Sequence, residues 1–265
     1  MSTLEVPGAR LYHEIHGSGP GMVLITGAPG VAEVYRALIS HLATQYTVVI
    51  YDRRGFSRSH LDGPQDYARR LETDADDVRR LIEHLRAGPA IVFGASSGGT
   101  VALELLARHP AVVRTLIPYE PPTLRLLPDG DTWAGFFSEV YDLYRREGID
   151  SAMKAFRERT FAPSDHQHMA RAPRNDANAA YWFEHELRQY PPAALGLAAL
   201  APHTDRVIPA VGGQSRGHLC YEATMELSRH LAREAIELPG GHIGFITDAP
   251  AFAAELMRTL THAAL

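Results

Sequence analysis

A serine bracketed by glycines, Gly94-Ala-Ser-Ser-Gly98, constrains this chain more than any other feature. The apolar run at 90–94 reads as a buried strand, and residues 100–108 read as a helix. A Gly-x-Ser-x-Gly between strand and helix makes a sharp turn that lifts one hydroxyl, that of Ser96, off the end of a sheet. The glycines serve a steric purpose: side chains there would meet the adjoining strand and helix, while the serine backbone itself is strained. The helix start supplies unpaired amides and a positive dipole end, both suited to a developing anion. Ser97, the neighbouring hydroxyl, lacks the leading glycine and is expected to offer its backbone amide. A Gly/Ser-rich turn without chemistry is the competing reading, and partner residues elsewhere in the chain must decide against it.

At 265 residues the chain can bury a large core, as one domain or as one domain with an insertion. Its 45% apolar and 22% charged content is ordinary for a soluble globular protein. A net charge of -5 gives neither a basic footprint for nucleic acid nor a polybasic anchor for a membrane. A single cysteine, Cys220, excludes an internal disulfide and argues against a Cys-based zinc site; it is expected to be a buried or half-buried small side chain. The first residues lack a charged-then-apolar leader pattern, and no apolar stretch approaches the length of a membrane span. A cytoplasmic location is expected.

Short apolar runs alternate with helical patterns through the first 120 residues. Residues 11–15, 22–26, 46–51, 90–94 and 112–117 read as strands, and 33–42, 70s–80s and 100–108 as helices. In the second helix, Val78, Leu81, Ile82 and Leu85 mark one apolar face at i, i+3, i+4 and i+7. Such alternation implies a parallel sheet with helices on both faces. From about 121 to 205 the pattern is helical, with candidate helices at 131–146, 149–161 and 175–190 and no convincing buried strand. Alternation resumes with strands at 206–211 and 235–238 and helices at 221–232 and 249–260. The expected organisation is a core of residues 1–120 and 206–265 and a helical cap of residues 121–205 over the carboxyl ends of the strands.

An activated serine needs a base and a group that orients the base. Of 14 histidines, His242 follows the last strand directly, in Leu238-Pro-Gly-Gly-His-Ile-Gly244, which places it on the same rim as Ser96. Two amides must meet the oxyanion. Ser97 offers one; the loop Thr26-Gly-Ala-Pro-Gly30 offers the other, with Ala28 as donor because Pro29 has no N–H. The same loop would set Gly27 and Pro29 against the substrate. The acid is harder to place. The turn after the next-to-last strand, Gly212-Gly-Gln-Ser-Arg-Gly217, holds no Asp or Glu, and Glu222 lies within a helix. Ile117-Pro-Tyr-Glu-Pro-Pro122 puts Glu120 at the sheet rim, where flanking prolines predict a stiff, extended backbone; an ordinary surface glutamate is the alternative.

These pieces together resemble an α/β-hydrolase over nearly the full chain: the loop 26–30, the loop Asp52-Arg-Arg-Gly-Phe-Ser-Arg-Ser59, the serine elbow and His242. Within that superfamily the chain resembles the zearalenone lactonases, which share a Ser-Ser-Gly elbow, an Asp-x-x-Gly-x-Ser-Arg-Ser loop and a glutamate after the sixth strand. The resemblance implies an α/β-hydrolase fold, a mostly parallel central sheet with helices on both faces and a helical cap insertion. It implies Glu120 as the acid, and Trp182 as a cap tryptophan that touches the substrate.

Trp182 also suits a ligand wall by its own chemistry, a large apolar body with one polar N–H. Other cap aromatics, Trp133, Phe136, Phe137, Tyr141, Tyr181 and Phe183, are expected to pack among themselves. His166-Gln-His168 lacks a third nearby ligand and reads as a solvated loop. Arg53 and Arg54 read as salt-bridged surface arginines, with an approach to the pocket mouth as the alternative. The expected activity is hydrolysis of a carboxylic ester or lactone by Ser96, His242 and Glu120, needing no metal and no other cofactor. Carbon–carbon bond hydrolysis or perhydrolysis on the same residues, and a ligand-binding receptor, are the alternatives. The expected partner is a small-molecule ester or lactone, with no nucleic acid and no membrane; a homodimer is compatible with the sequence.

Overall fold

Valine and isoleucine dominate the strands, and their alternation in burial shows why a two-faced sheet forms. In the computed structural model, which describes residues 2–28, 30–86 and 88–263, nine strands make one sheet: β1 (Ser2–Val6), β2 (Ala9–His16), β3 (Gly21–Ile25), β4 (Thr47–Tyr51), β5 (His60–Leu61), β6 (Ala90–Ala95), β7 (Val113–Tyr119), β8 (Ala210–Gly212) and β9 (Ile236–Leu238). Their order is β1-β2-β4-β3-β6-β7-β8-β9, with β5 on β2. β4, β3, β6, β7, β8 and β9 pair in parallel, while β1, β2 and β5 form an antiparallel edge that joins the sheet through β4. The chain reverses its winding about β3, the kind of position where open parallel sheets gather ligands beyond the strand ends.

Val23, Ile25, Val49 and Val92 point to one face and Met22, Leu24, Val48, Ile50, Ile91 and Phe93 to the other, the period of two that a strand imposes. The first face is covered by α2 (Arg70–Leu85) and α3 (Ser97–Arg108), the second by α1 (Arg36–Leu42) and the C-terminal helix, so helices do lie on both sides. Val78, Leu81 and Ile82 of α2 are buried against the sheet, as their spacing predicts.

Between β7 and β8 come α4 (Gly130–Glu147), α5 (Ile149–Thr160), α6 (Pro163–Arg171), α7 (Asp176–His185) and the short α8 (Leu197–Leu200). After β8 follow α9 (Leu219–Leu231), α10 (Gly244–Thr247) and α11 (Ala249–Ala263). The aromatic residues of α4, α5 and α7 share one cluster, with Phe136, Phe137, Phe156, Trp182 and Phe183 buried in it. Tyr190 and Leu200, further on, pack instead with the core residues of α3.

Four local expectations change. The segment holding His166 and His168 is helix α6 rather than a loop: Pro163 opens it at a first-turn position that needs no N–H, and Asp165 is buried in its first turn. The helix expected at 175–190 ends at His185, after which the chain turns so that Glu186 faces inward. The strand expected at 206–211 shrinks to Ala210–Gly212, because Pro209 has no amide for the ladder; Val207 makes only an isolated bridge with Leu116. Arg53 and Arg54 are buried, not superficial, each within an ion pair.

Candidate active site

Ser96 sits between β6 and α3 with φ 54 and ψ -127, a conformation costly for any residue with a side chain. Such strain amounts to about 1–3 kcal/mol. The flanking packing outweighs it: Val101, Leu103, Leu105 and Leu106 of α3 are fully buried, each contributing roughly 1.5–3 kcal/mol. The Ser96 amide donates to Tyr119 O at 2.8 Å, tying the turn to β7. A Cβ at Gly94 would lie 2.3 Å from Gly98 O, and one at Gly98 would lie 2.3 Å from Ile25 O, so both glycines are sterically required. Ser96 remains half-buried, which leaves its hydroxyl reachable.

His242 lies on the turn after β9, and its Nδ1 contacts Glu120 Oε2 at 2.6 Å. A carboxylate oxygen can only accept, so Nδ1 carries a proton, and in the neutral ring Nε2 is then the acceptor. The other oxygen of Glu120, Oε1, accepts from the Gly212 amide at 2.8 Å. Glu120 is completely buried, which removes the surface-glutamate reading. Its backbone is left-handed, φ 47, rather than the extended conformation expected from the prolines around it. The Glu120 amide donating to Ala210 O at 3.0 Å, together with the two carboxylate bonds, holds that conformation. Glu222 is exposed and accepts only from the Gly217 amide, at 3.2 Å. Ser96 and His242 are not joined by a hydrogen bond among the described residues.

The loop after β3 runs beside the serine: a Cβ on Gly27 would come within 2.8 Å of Ser96 Cβ. Neither the Ala28 amide nor the Ser97 amide donates a hydrogen bond among the described residues, and Ser97 N–H belongs to the unpaired first turn of α3. Pro29 lies outside the described residues.

Three groups near His242 had no signal strong enough to be read from the sequence. Asp165 of α6 is buried and accepts from the His242 amide at 3.0 Å and the Ile243 amide at 3.4 Å. A Cβ on Gly241 would meet its Oδ2 at 2.3 Å, so only glycine lets the turn press that close. Tyr119 OH donates to Gly241 O from below; burial, then the negative charge of Glu120, pushes its phenol well up, so it stays a donor. Phe161 stacks on the imidazole, centroids 4.4 Å apart. Trp182 is two rings further out, 5.0 Å from Phe156, which itself meets Phe161 at 5.4 Å. Cys220 is buried near the site, and burial pushes its thiol up, which keeps it protonated and unreactive.

The profile of the family described as alpha/beta hydrolase fold matches residues 20–196. The chain belongs to that family. This α/β hydrolase is 35% identical over 257 residues to the uncharacterized hydrolase YraK of Bacillus subtilis (strain 168), covering 92% of this chain and 89% of the relative. It is 31% identical over 125 residues to the zearalenone hydrolase of Bionectria ochroleuca, covering 46% of this chain and 47% of that protein. Among solved structures, the enol-lactonase from Burkholderia xenovorans LB400 superposes with a TM-score of 0.75 at 19% identity, covering 98% of this chain and all of that one, 100%. At that identity the likeness speaks for the α/β hydrolase fold alone. No helix among the described residues is long and apolar enough to cross a membrane.

Proposed function

We propose that this α/β hydrolase cleaves a carboxylic ester or lactone through an acyl-enzyme on Ser96. The observation that carries the reading is the 2.6 Å contact between Glu120 Oε2 and His242 Nδ1, on the rim that also holds the strained Ser96 turn. That contact fixes the tautomer in which Nε2 can accept a proton, the one property a serine's base must have.

In the first half-reaction Ser96 Oγ bonds to the carbonyl carbon while its proton passes to His242 Nε2. The amides of Ala28 and Ser97 receive the oxyanion, each contributing about 3 kcal/mol to barrier reduction. Collapse of the tetrahedral adduct breaks the C–O bond, and the imidazolium returns the proton to the leaving alkoxide. Water then adds to the acyl group, giving its proton to His242, and the acid leaves as Ser96 recovers its hydrogen. For a lactone the freed alcohol remains part of the acyl chain, and the second step releases a single hydroxy acid. Glu120 holds Nδ1 throughout and favours the cationic imidazole.

Residues 121–205 serve on this reading as a cap, with Phe161 on the imidazole face and Trp182 behind it as an apolar wall. The lactone part of the reading draws on the similar proteins, one named an enol-lactonase. A panel of 4-nitrophenyl esters, small and macrocyclic lactones and vinylogous diketones tests the reaction class. Turnover of esters or lactones by the wild type but not by folded Ser96→Ala is expected; cleavage of the diketones alone would replace ester hydrolysis by carbon–carbon bond hydrolysis.

A further inference from the structure

Arg53 is completely buried beside the loop after β3, yet it has no place in the proton transfers above. Its Nη2 donates to Gly27 O at 3.3 Å and to Glu186 Oε2 at 2.6 Å; its Nη1 donates to Asp74 Oδ2 and Glu186 Oε1, both at 2.9 Å. The Arg53 amide also donates to Gly30 O at 2.8 Å, so one residue grips both ends of the loop that carries Ala28. Burial works against the guanidinium charge, but the Glu186 and Asp74 carboxylates outweigh it and hold the group above its ordinary value. It is therefore a permanent cation. Arg70 supports the arrangement by donating to Glu186 Oε1 at 2.7 Å, and Tyr190 OH donates to Asp74 Oδ2 at 2.8 Å.

Gly27 C=O and Ala28 N–H are two ends of one planar peptide, pointing in opposite directions. The carbonyl end accepts from a cation and from the Gly30 amide, the latter at 2.8 Å. The N–H end has no partner among the described residues. A cationic donor on the carbonyl polarises the whole amide and strengthens its N–H as a donor, the cooperative effect seen in hydrogen-bonded chains. We propose that Arg53 is a positioning residue for the oxyanion hole: through Gly27 O it fixes the direction of the Ala28 N–H and raises its donor strength.

The inference rests on the ester-hydrolase reading. It also assigns Glu186, which follows α7, the task of holding that arginine from the helical insertion, so seating of the insertion and readiness of the oxyanion hole are linked.

Removing Arg53 alone leaves buried carboxylates short of a partner and threatens folding. The double variant Arg53→Met/Glu186→Gln removes one positive and one negative charge together and leaves Arg70 with Asp74. Arg53→Lys keeps a cation without the fork that reaches four acceptor oxygens on three residues. Both are compared with the wild type and Ser96→Ala by circular dichroism, by kcat and KM on phenyl acetate and its thiono analogue, and by crystal structures. In the folded double variant kcat on the oxo ester should fall about tenfold or more, below the effect of losing a whole oxyanion donor, with KM little changed. The preference for oxo over thiono ester should narrow, since sulfur accepts hydrogen bonds poorly, and Arg53→Lys should recover part of both. In crystals of the double variant the Gly27–Ala28 peptide should turn away from its wild-type direction. An unchanged kcat, or a fall in kcat with an unchanged oxo/thiono preference, would overturn the proposal. Wild-type turnover in Ser96→Ala would sink the ester reading instead, and the peptide direction in the crystals would then decide the Arg53 grip by itself.

Discussion

Replacing Glu120 by glutamine probes the candidate site with the smallest change of shape. The new amide can sit in two ways. With its oxygen on the Gly212 amide, its NH2 faces His242 Nδ1, where the glutamate oxygen now accepts at 2.6 Å. Nδ1 must then become the acceptor, the ring proton moves to Nε2, and the base can no longer take a proton from Ser96. With the amide flipped, a donor faces the Gly212 N–H in a fully buried setting, at a cost of about 1–3 kcal/mol for the unmet groups. The first arrangement is favoured, and it is the inactive tautomer. Loss of the orienting acid in a Ser-His-Asp site lowers kcat by about 10⁴, and a similar loss of roughly three to four decades, about 4–5.5 kcal/mol of barrier, is expected here. KM should change little, because Glu120 is buried away from any substrate. Steady-state hydrolysis of a 4-nitrophenyl ester measures both constants, with Glu222→Gln as the matched control. Since Glu222 accepts only the Gly217 amide at the surface, it should stay near wild type. A Glu120→Gln enzyme within threefold of wild type, or a ranking in which Glu222→Gln is the worse, would refute the reasoning.

Asp165→Ala leaves the His242 and Ile243 amides without their acceptor, so kcat should drop about tenfold and stability by about 1–3 kcal/mol, while Asp165→Asn, which keeps a carbonyl acceptor, should lie between; equal kcat in all three enzymes would separate α6 from the histidine. Gly98→Ala puts a Cβ 2.3 Å from Ile25 O, against backbone that cannot yield cheaply, and urea unfolding should show a loss of about 2 kcal/mol or more; a loss below about 0.5 kcal/mol would mean the elbow tolerates a side chain. Hydrogen bonding to Arg36 holds the Glu14 carboxyl down at about 2, against 4.5 ordinarily. Its stabilisation is therefore present above pH 4.5 and lost as pH falls towards 2, so the stability gap between wild type and Glu14→Gln should be widest near neutrality and close in acid; a gap independent of pH over that range would contradict the pairing.

Much of this molecule was legible because its constraints are local. The elbow needs glycines at fixed offsets, and the strand and helix beside it declare themselves by period. His242 was singled out by its place after the last strand. Glu120 was singled out by elimination from the turn after β8, but its left-handed backbone was not foreseen, because proline flanks argue only for the neighbours' local preference and not for the three hydrogen bonds that hold the residue. Asp165 escaped notice because its partners are backbone amides 77 and 78 residues away, which no local pattern encodes. Pro163 two residues earlier was a usable sign of a helix start, though not of what the acid would meet. The buried arginines had a sign as well: Asp74 and Asp77 stand at i and i+3 on α2 and face Arg53 and Arg54 respectively, a pairing that default surface exposure had hidden.

Both tryptophans of the chain, Trp133 in α4 and Trp182 in α7, lie between β7 and β8. Excitation at the red edge of protein absorbance therefore lights up this stretch and none of the sheet. Far-ultraviolet dichroism reports the whole backbone at the same time, so two instruments can follow the loosening of these helices separately from the melting of the sheet, without attaching a dye.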